Sequence, residues 1–273
     1  MVYHNENNLI IENLQLVDMP AVLGLKPIDW GDLLPAFHFY FHSEQCLSLK
    51  ATIHNTMVGT GTIIIHENVA WLAHLMVHSD FRGQGIGKKI TQTLINIGMK
   101  HVKSLVLLAT KLGKPVYTSL GFKFIEEYNF YDKCSINLPI SGSIIPYQSQ
   151  FKQGILDLDE EITGEKRIKF LETLLPKSFI HYTKEKINAV YFAGFGEGLI
   201  LAGDSNAGND MLTFHLLEAK PCVIPQSNNA AHRFLVSNGF IHNTDRYVCR
   251  MSYGESINWK PAHLFGRFGG NLG

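Results

Sequence analysis

The chain has 273 residues, 45% apolar and 18% charged, and its 24 basic side chains balance 24 acidic ones. That length suits two domains of ordinary size, and that composition builds packed cores and excludes a disordered chain. The charge balance holds both up to residue 139 and after it, so neither half carries the basic footprint of a nucleic-acid or anionic-membrane binder. In chain order, residues 9–16 read as a strand, and 19–25 and 30–41 as helical stretches. Residues 47–54 and 57–66 form a hairpin around Asn55-Thr56, and 69–77 continues the sheet.

Next comes the most informative stretch, Val77-His78-Ser79-Asp80-Phe81-Arg82-Gly83-Gln84-Gly85-Ile86-Gly87-Lys88-Lys89, followed by helical spacing at Ile90, Leu94, Ile97 and Met99. A strand that feeds a glycine-rich turn into a helix makes an anion site. The first amides of the helix lack intrahelical partners, and glycines let a phosphate approach them. A P-loop is excluded, because Arg82 stands where its first glycine belongs and Lys89 where its hydroxyl belongs. A dinucleotide fingerprint fits poorly. The spacing is G-x-G-x-G, some 80 residues into the chain, and the following strand, 105–109, ends in Thr110 with no carboxylate.

Arg82-x-x-Gly85-x-Gly87 resembles the Arg/Gln-x-x-Gly-x-Gly/Ala pattern of the GNAT acyltransferases. Pro115-Val116-Tyr117-Thr118-Ser119-Leu120-Gly121-Phe122, about 30 residues on, is similar to that family's Tyr-x-x-Leu-Gly-Phe segment. The strand 122–131 would complete the first unit. A second, weaker copy follows, in which Asn229 to Phe240 resembles the Leu-Gly-Phe segment 118 residues after the first. The loop ahead of it, Gly198 to Gly208, has no Arg/Gln-x-x-Gly-x-Gly, and Leu235 stands where Tyr117 does. An early helix over 159–174, Arg250 to Gly254 after the last large strand, and a glycine-rich tail agree with this arrangement.

The resemblance implies an α/β fold of two tandem GNAT-like domains, each a mixed, splayed sheet flanked by helices. The expected division is 1–138 for the catalytic domain, 139–145 for a linker and 146–273 for a degenerate domain that closes the acceptor site. The implied reaction is transfer of an acyl group from acetyl-CoA to a small-molecule or peptide amine, by direct attack in a ternary complex. The amides of Gly83, Gln84, Gly85, Ile86, Gly87 and Lys88 would take the pyrophosphate. Leu75, Met76 and Val77 would lie along the pantetheine arm, while Arg82, Lys88 and Lys89 add charge toward the ADP phosphates. Tyr117 is the implied general acid for the CoA thiolate, since a phenol is protonated at neutral pH. Trp30, Tyr40 and Trp71 are candidate acceptor-lining residues.

An alkyl amine spends about 4–5 kcal/mol to present its neutral form at pH 7, so a general base is useful. Strand alternation puts Trp71, Ala73 and Leu75 on the substrate face, where none can take a proton, and turns His74 to the opposite face. The base is therefore left to water, to a residue from elsewhere, or to an amine of low pKa. A non-catalytic acyl-CoA sensor or scaffold is the competing expectation.

His38 and His42 have helical metal spacing but no third ligand, and no metal is implied. Cys46, Cys134, Cys222 and Cys249 fall without metal or redox spacing, the N-terminal stretch is polar, and no apolar run reaches membrane-spanning length. A cytoplasmic protein with reduced thiols, bound to neither membrane nor nucleic acid, is expected.

Overall fold

The computed structural model describes residues 8–28, 30–132, 138–217 and 221–272; Cys134 lies outside them. Strand β1 (Leu9–Asn13) stops short of residue 16, because the chain tightens into a 3-10 turn at Leu16–Asp18, where Gln15 N donates to the Asp18 carboxylate at 2.8 Å. Helices α1 (Met19–Leu25) and α2 (Leu34–His42) follow. α2 begins later than its apolar pattern suggests. The Asp32 carboxylate accepts from Leu34 N at 2.9 Å, and Pro35 occupies the first turn, where its missing N–H costs nothing. Strands β2 (Cys46–Ile53) and β3 (Thr56–Ile65) form the expected hairpin. Its turn residues, His54 and Asn55, hold φ of 47° and 63°, the left-handed pair a two-residue hairpin turn requires.

The first half continues through β4 (Ala70–Val77), α3 (Ile86–Gly98), β5 (Ser104–Thr110), α4 (Lys114–Ser119) and β6 (Lys123–Asp132). The second half runs β7 (Ile144–Pro146), α5 (Lys152–Thr163), α6 (Ile168–Glu172), β8 (Ser178–Thr183), β9 (Lys186–Phe192), β10 (Leu199–Ala202), α7 (Ser205–Leu217), β11 (Cys222–Pro225), α8 (Asn229–Ser237) and β12 (Ile241–Gly254). The helix expected over 159–174 is two helices. Gly164, at φ 69°, closes α5 as a left-handed C-terminal cap. Residues 250–254 lie inside the last strand, β12, rather than after it.

Two sheets carry the fold. The larger has the order β1-β2-β3-β4-β5-β12-β6-β11, and the smaller β10-β9-β8-β7. Pairing is antiparallel except between β4 and β5, so the larger sheet is mixed. Its right-hand part interleaves the halves. β12, from the end of the chain, lies between β5 and β6, and β6 in turn lies between β12 and β11. Each half thus lends its last long strand to the other.

One face of the larger sheet is covered by α3, whose Ile86, Ile90, Leu94 and Ile95 pack with Leu72, Leu105 and Leu107. The opposite face carries Trp71, Ala73, Met76 and Val106. It is shared between α1 and α2 of the first half and buried side chains of the second, including Phe151, Phe170 and Phe268.

Candidate active site

β4 and β5 pair at three positions only, Ala70↔Leu105, Trp71↔Val106 and Leu72↔Leu107. Past them β5 stays registered with β12 as far as Thr110, while β4 stays with β3 as far as Val77. The two strands therefore part into a wedge, closed at Leu72 and open toward Val77. Met76 and Val77 lie on one wall of it, and α4 with Tyr117 follows the other.

At the open end sits the glycine loop. Gly83 and Gly85 hold φ of 77° and 76°, and a Cβ on either would meet nothing within 4 Å. Their glycine identity thus serves backbone conformation rather than space. Gly85 is the N-cap of α3 and supplies no side-chain cap; the first bond into the helix is Lys89 N to Gly85 O at 3.0 Å. Among the described residues, the amides of Gly83 through Lys88 have no acceptor. A row of free N–H groups at the positive end of a 13-residue helix is suited to an anion. Arg82 folds back, its Nε donating to Val77 O at 3.1 Å, which ties the loop to the wedge wall.

The strand alternation expected of β4 breaks at His74. Thr60 faces Met76 but Thr62 faces Ala73, so β4 carries one extra residue there, and His74 holds φ 45°. This is a β-bulge, and it reverses the facing of everything after it. Leu75 turns onto the α3 side, where its methyls lie near Gly61 and Gly87. His74 turns onto the face of Trp71 and Ala73. There its ring lies 5.8 Å from that of Trp30, 5.5 Å from Phe37 and 5.6 Å from Tyr40. Its Nδ1 is 2.7 Å from the Tyr40 hydroxyl, which also receives a hydrogen bond from Asn271 Nδ2 at 3.0 Å. Burial lowers the pKa of His74 to about 4. The fold thus brings together two of the expected lining residues, Trp30 and Tyr40, with a histidine that alternation alone had turned away.

Trp71, the third, is fully buried beneath this wall rather than lining an open surface. Its indole N–H donates to Glu165 Oε2 at 2.9 Å, and Arg250 stacks 4.7 Å from its ring. Glu165 also binds Arg250 Nη2 at 2.8 Å and lies 3.5 Å from Arg167 Nη1; Arg167 grips Asp159 through Nε at 3.0 Å and Nη2 at 2.7 Å. Two carboxylates and two guanidiniums thus balance inside the interface between the halves. Burial raises the Glu165 carboxyl, but Arg167 and Arg250 outweigh it and hold the group below its ordinary range. Its contribution to stability is therefore complete above its unfolded pKa of about 4.3 and drains away as pH falls through the lower folded value. Glu165→Gln should cost about 3–5 kcal/mol, because it leaves buried guanidiniums short of a partner; denaturant unfolding at pH 7 measures it, and the difference from wild type should shrink at acid pH.

Tyr117 lies on α4 with its ring edge-on to Phe122 at 5.9 Å. It is buried, burial raises its pKa, and its hydroxyl makes no hydrogen bond among the described residues. His38 and His42 stack on each other, with centroids 4.2 Å apart, and the described residues hold no cluster of three or more potential metal ligands. Nor is any described helix long and apolar enough to cross a membrane.

The second half is built differently at the strand and helix that follow residue 198. β10 and β11 belong to different sheets, and the chain's own tail fills the gap. Leu264 bridges to Leu201, Phe265 N donates to Ile200 O at 2.9 Å, and the buried Asn228 amide donates to Leu264 O at 2.7 Å. The Phe265 ring lies so close to Gly208 that a Cβ there would collide with it. A hollow of about 400 Å³ remains beside it, lined by Asp204, Ser205, Asn229 and His263 among others. The start of α7 is already occupied. Asp204 Oδ1 accepts from Asn206 N and Ala207 N, both at 3.0 Å.

Residues 35–137 match the family described as the acetyltransferase (GNAT) domain. That match, which covers less than half of the chain, makes this segment similar to a GNAT acetyltransferase domain. Over 136 residues the chain is 26% identical to N-acetylaspartate synthetase of Rattus norvegicus, covering 48% of this chain and 45% of that protein. The matched stretch is thus less than half the length of that relative. Across the whole chain the fold is that of a Pyrococcus horikoshii protein described as a candidate acetyltransferase, with TM-score 0.84, 18% identity and 99% of both chains covered. A GCN5-related N-acetyltransferase from Sphaerobacter thermophilus is similar at TM-score 0.63 and 12% identity, over 92% of this chain and 97% of that one.

Proposed function

We propose that the chain transfers an acyl group, acetyl by default, from a CoA thioester to a primary amine by direct attack in a ternary complex. The observation that carries this reading is the run of unpaired amides from Gly83 to Lys88 at the mouth of the β4–β5 wedge, inside the GNAT segment. In this reading the amides bind the pyrophosphate, Lys88 and Lys89 add charge, and Met76 and Val77 run beside the pantetheine arm. Arg82 fixes the loop to the wall. Tyr117 donates to the departing thiolate. The acceptor amine approaches from the Trp30–Tyr40–His74 side, beneath which the second half supplies the floor through Glu165 and Arg250.

The second half, in the same reading, binds no acyl-CoA. Asp204 already satisfies the amides a phosphate would use, and Leu264 and Phe265 lie where an arm would pass. A calorimetric titration of acetyl-CoA, CoA and NAD tests both parts. Acetyl-CoA and CoA should bind once per chain, and NAD should not bind. Gly85→Glu should weaken CoA by roughly 30-fold or more, since a side chain at φ 76° costs about 1–2 kcal/mol and its carboxylate competes for the helix start. Two CoA per chain would overturn the assignment to one half; none would overturn the whole reading and leave the scaffold alternative. Turnover is then followed by thiol release over a panel of amines. The product in the mammalian relative's name makes aspartate the first acceptor to try.

A further inference from the structure

We propose that Asn271, from the tail of the second half, is a positioning residue for the acceptor side of the first. Through the Tyr40 hydroxyl it holds the His74 imidazole with its proton on Nε2, and that N–H meets a carboxylate or carbonyl oxygen of the acceptor. The inference rests on the acyl-transfer reading of this cleft.

The proton count follows from the geometry. Tyr40 is buried, and its oxygen has two partners, Asn271 Nδ2 at 3.0 Å and His74 Nδ1 at 2.7 Å. An amide nitrogen only donates, so the phenol oxygen accepts on that side and its single proton goes to Nδ1. A neutral imidazole that accepts at Nδ1 carries its proton on Nε2. Burial acts in the same sense on both rings, raising the pKa of Tyr40 and lowering that of His74, and no charged side chain contributes to the His74 shift. The rings of Trp30, Phe37 and Tyr40 wall the imidazole in, and among the described residues nothing is bonded to Nε2.

The backbone shows that this placement is built. His74 sits at positive φ on the bulge, in the segment of β4 that has parted from β5. A strained non-glycine residue of this kind costs about 1–3 kcal/mol and persists where its surroundings demand it. Asn271 is delivered from 231 residues away by a tail that is itself anchored, with Phe268 fully buried and Leu272 O receiving Arg167 Nη1 at 3.5 Å. An N–H donor repels the acceptor's ammonium group but binds an oxygen. It therefore selects amines that carry one and fixes the amine's orientation to the thioester.

The test uses the full-length chain with ¹⁵N-labelled histidine. Long-range ¹H–¹⁵N spectra should show His74 as the Nε2–H tautomer, not titrating near its ordinary value of about 6.5. Asn271→Asp places an acceptor-only carboxylate against Tyr40. The phenol proton should then turn to that carboxylate, Nδ1–H should donate to the phenol oxygen, and the tautomer should invert. Tyr40→Phe should release the ring to mixed tautomers. In turnover, Asn271→Asp should raise KM about tenfold, the worth of one lost hydrogen bond, for amines bearing a carboxylate or carbonyl. Values of kcat, and KM for acetyl-CoA and for amines without such oxygens, should stay within about twofold. An Nδ1–H tautomer in the wild type, a spectrum unmoved by Asn271→Asp, or equal KM losses for oxygen-free amines would each overturn the proposal. Calorimetric CoA binding in the same variants reports separately on the acyl-transfer reading. Intact CoA binding with an unmoved His74 sinks this inference alone.

Discussion

Cut after residue 138, the first half alone should fail to fold into a form that binds acetyl-CoA. The reason is the interleaved sheet. β5 pairs with β12 at seven consecutive positions, from Ser104↔Gly254 to Thr110↔Val248, and β6 has β12 on one side and β11 on the other. Removing the second half strips both strands of neighbours and uncovers the sheet face that carries Trp71 and Val106. Burial of Val248 and Met251 alone is worth about 3–6 kcal/mol at 1.5–3 kcal/mol per side chain, against a typical net stability of about 5–15 kcal/mol. Circular dichroism, amide-proton spectra and calorimetry on the fragment check this, and co-expression with residues 139–273 should restore binding. A fragment that folds and binds CoA alone would show the strand exchange to be dispensable.

Tyr117→Phe carries the largest expected kinetic effect. Loss of a positioned acid typically costs about 10²–10⁴ in rate, so kcat should fall by that factor while the Kd for CoA moves only a few-fold. Burial keeps the phenol protonated across the neutral range, so no acid or alkaline limb of the wild-type profile between pH 6 and 9 should belong to it. The raised pKa also limits what it can do. Complete transfer to a thiolate of pKa about 8.5 is uphill, and the group acts by hydrogen bonding to the charge as it develops. If Tyr117→Phe retains kcat within threefold, water protonates the thiolate and the residue is a packing aromatic beside Phe122.

Much of this was legible in the residues. The loop around Gly83, Gly85 and Gly87 announced a helix start stripped of side chains, and the structure shows its amides free. The hairpin and the α3 stripe were equally readable, because each is a local pattern with a local cause. Three features were not. Alternation places His74 on the wrong face because a bulge leaves no mark in the pattern of apolar and polar residues; its sign is a single positive φ. The exchange of β12 and β6 depends on which edge a strand meets, which side-chain periodicity does not encode. Glu165, Arg250 and Asn271 sit in unremarkable contexts, and only the packing of one half on the other brings them to Trp71 and Tyr40.

The position of β12 also bears on how the protein is made. When β6 emerges from the ribosome, the strand that must lie beside it is still unsynthesised. It ends roughly 120 residues later, a delay on the order of 6–24 s at translation rates of about 5–20 residues per second. Throughout that interval β5 and β6 offer bare edges flanked by apolar side chains, the kind of surface that pairs with other nascent chains. A chain built this way should depend on holding factors during translation, and slowing elongation should lower its soluble yield more than that of a protein whose sheet closes within one half.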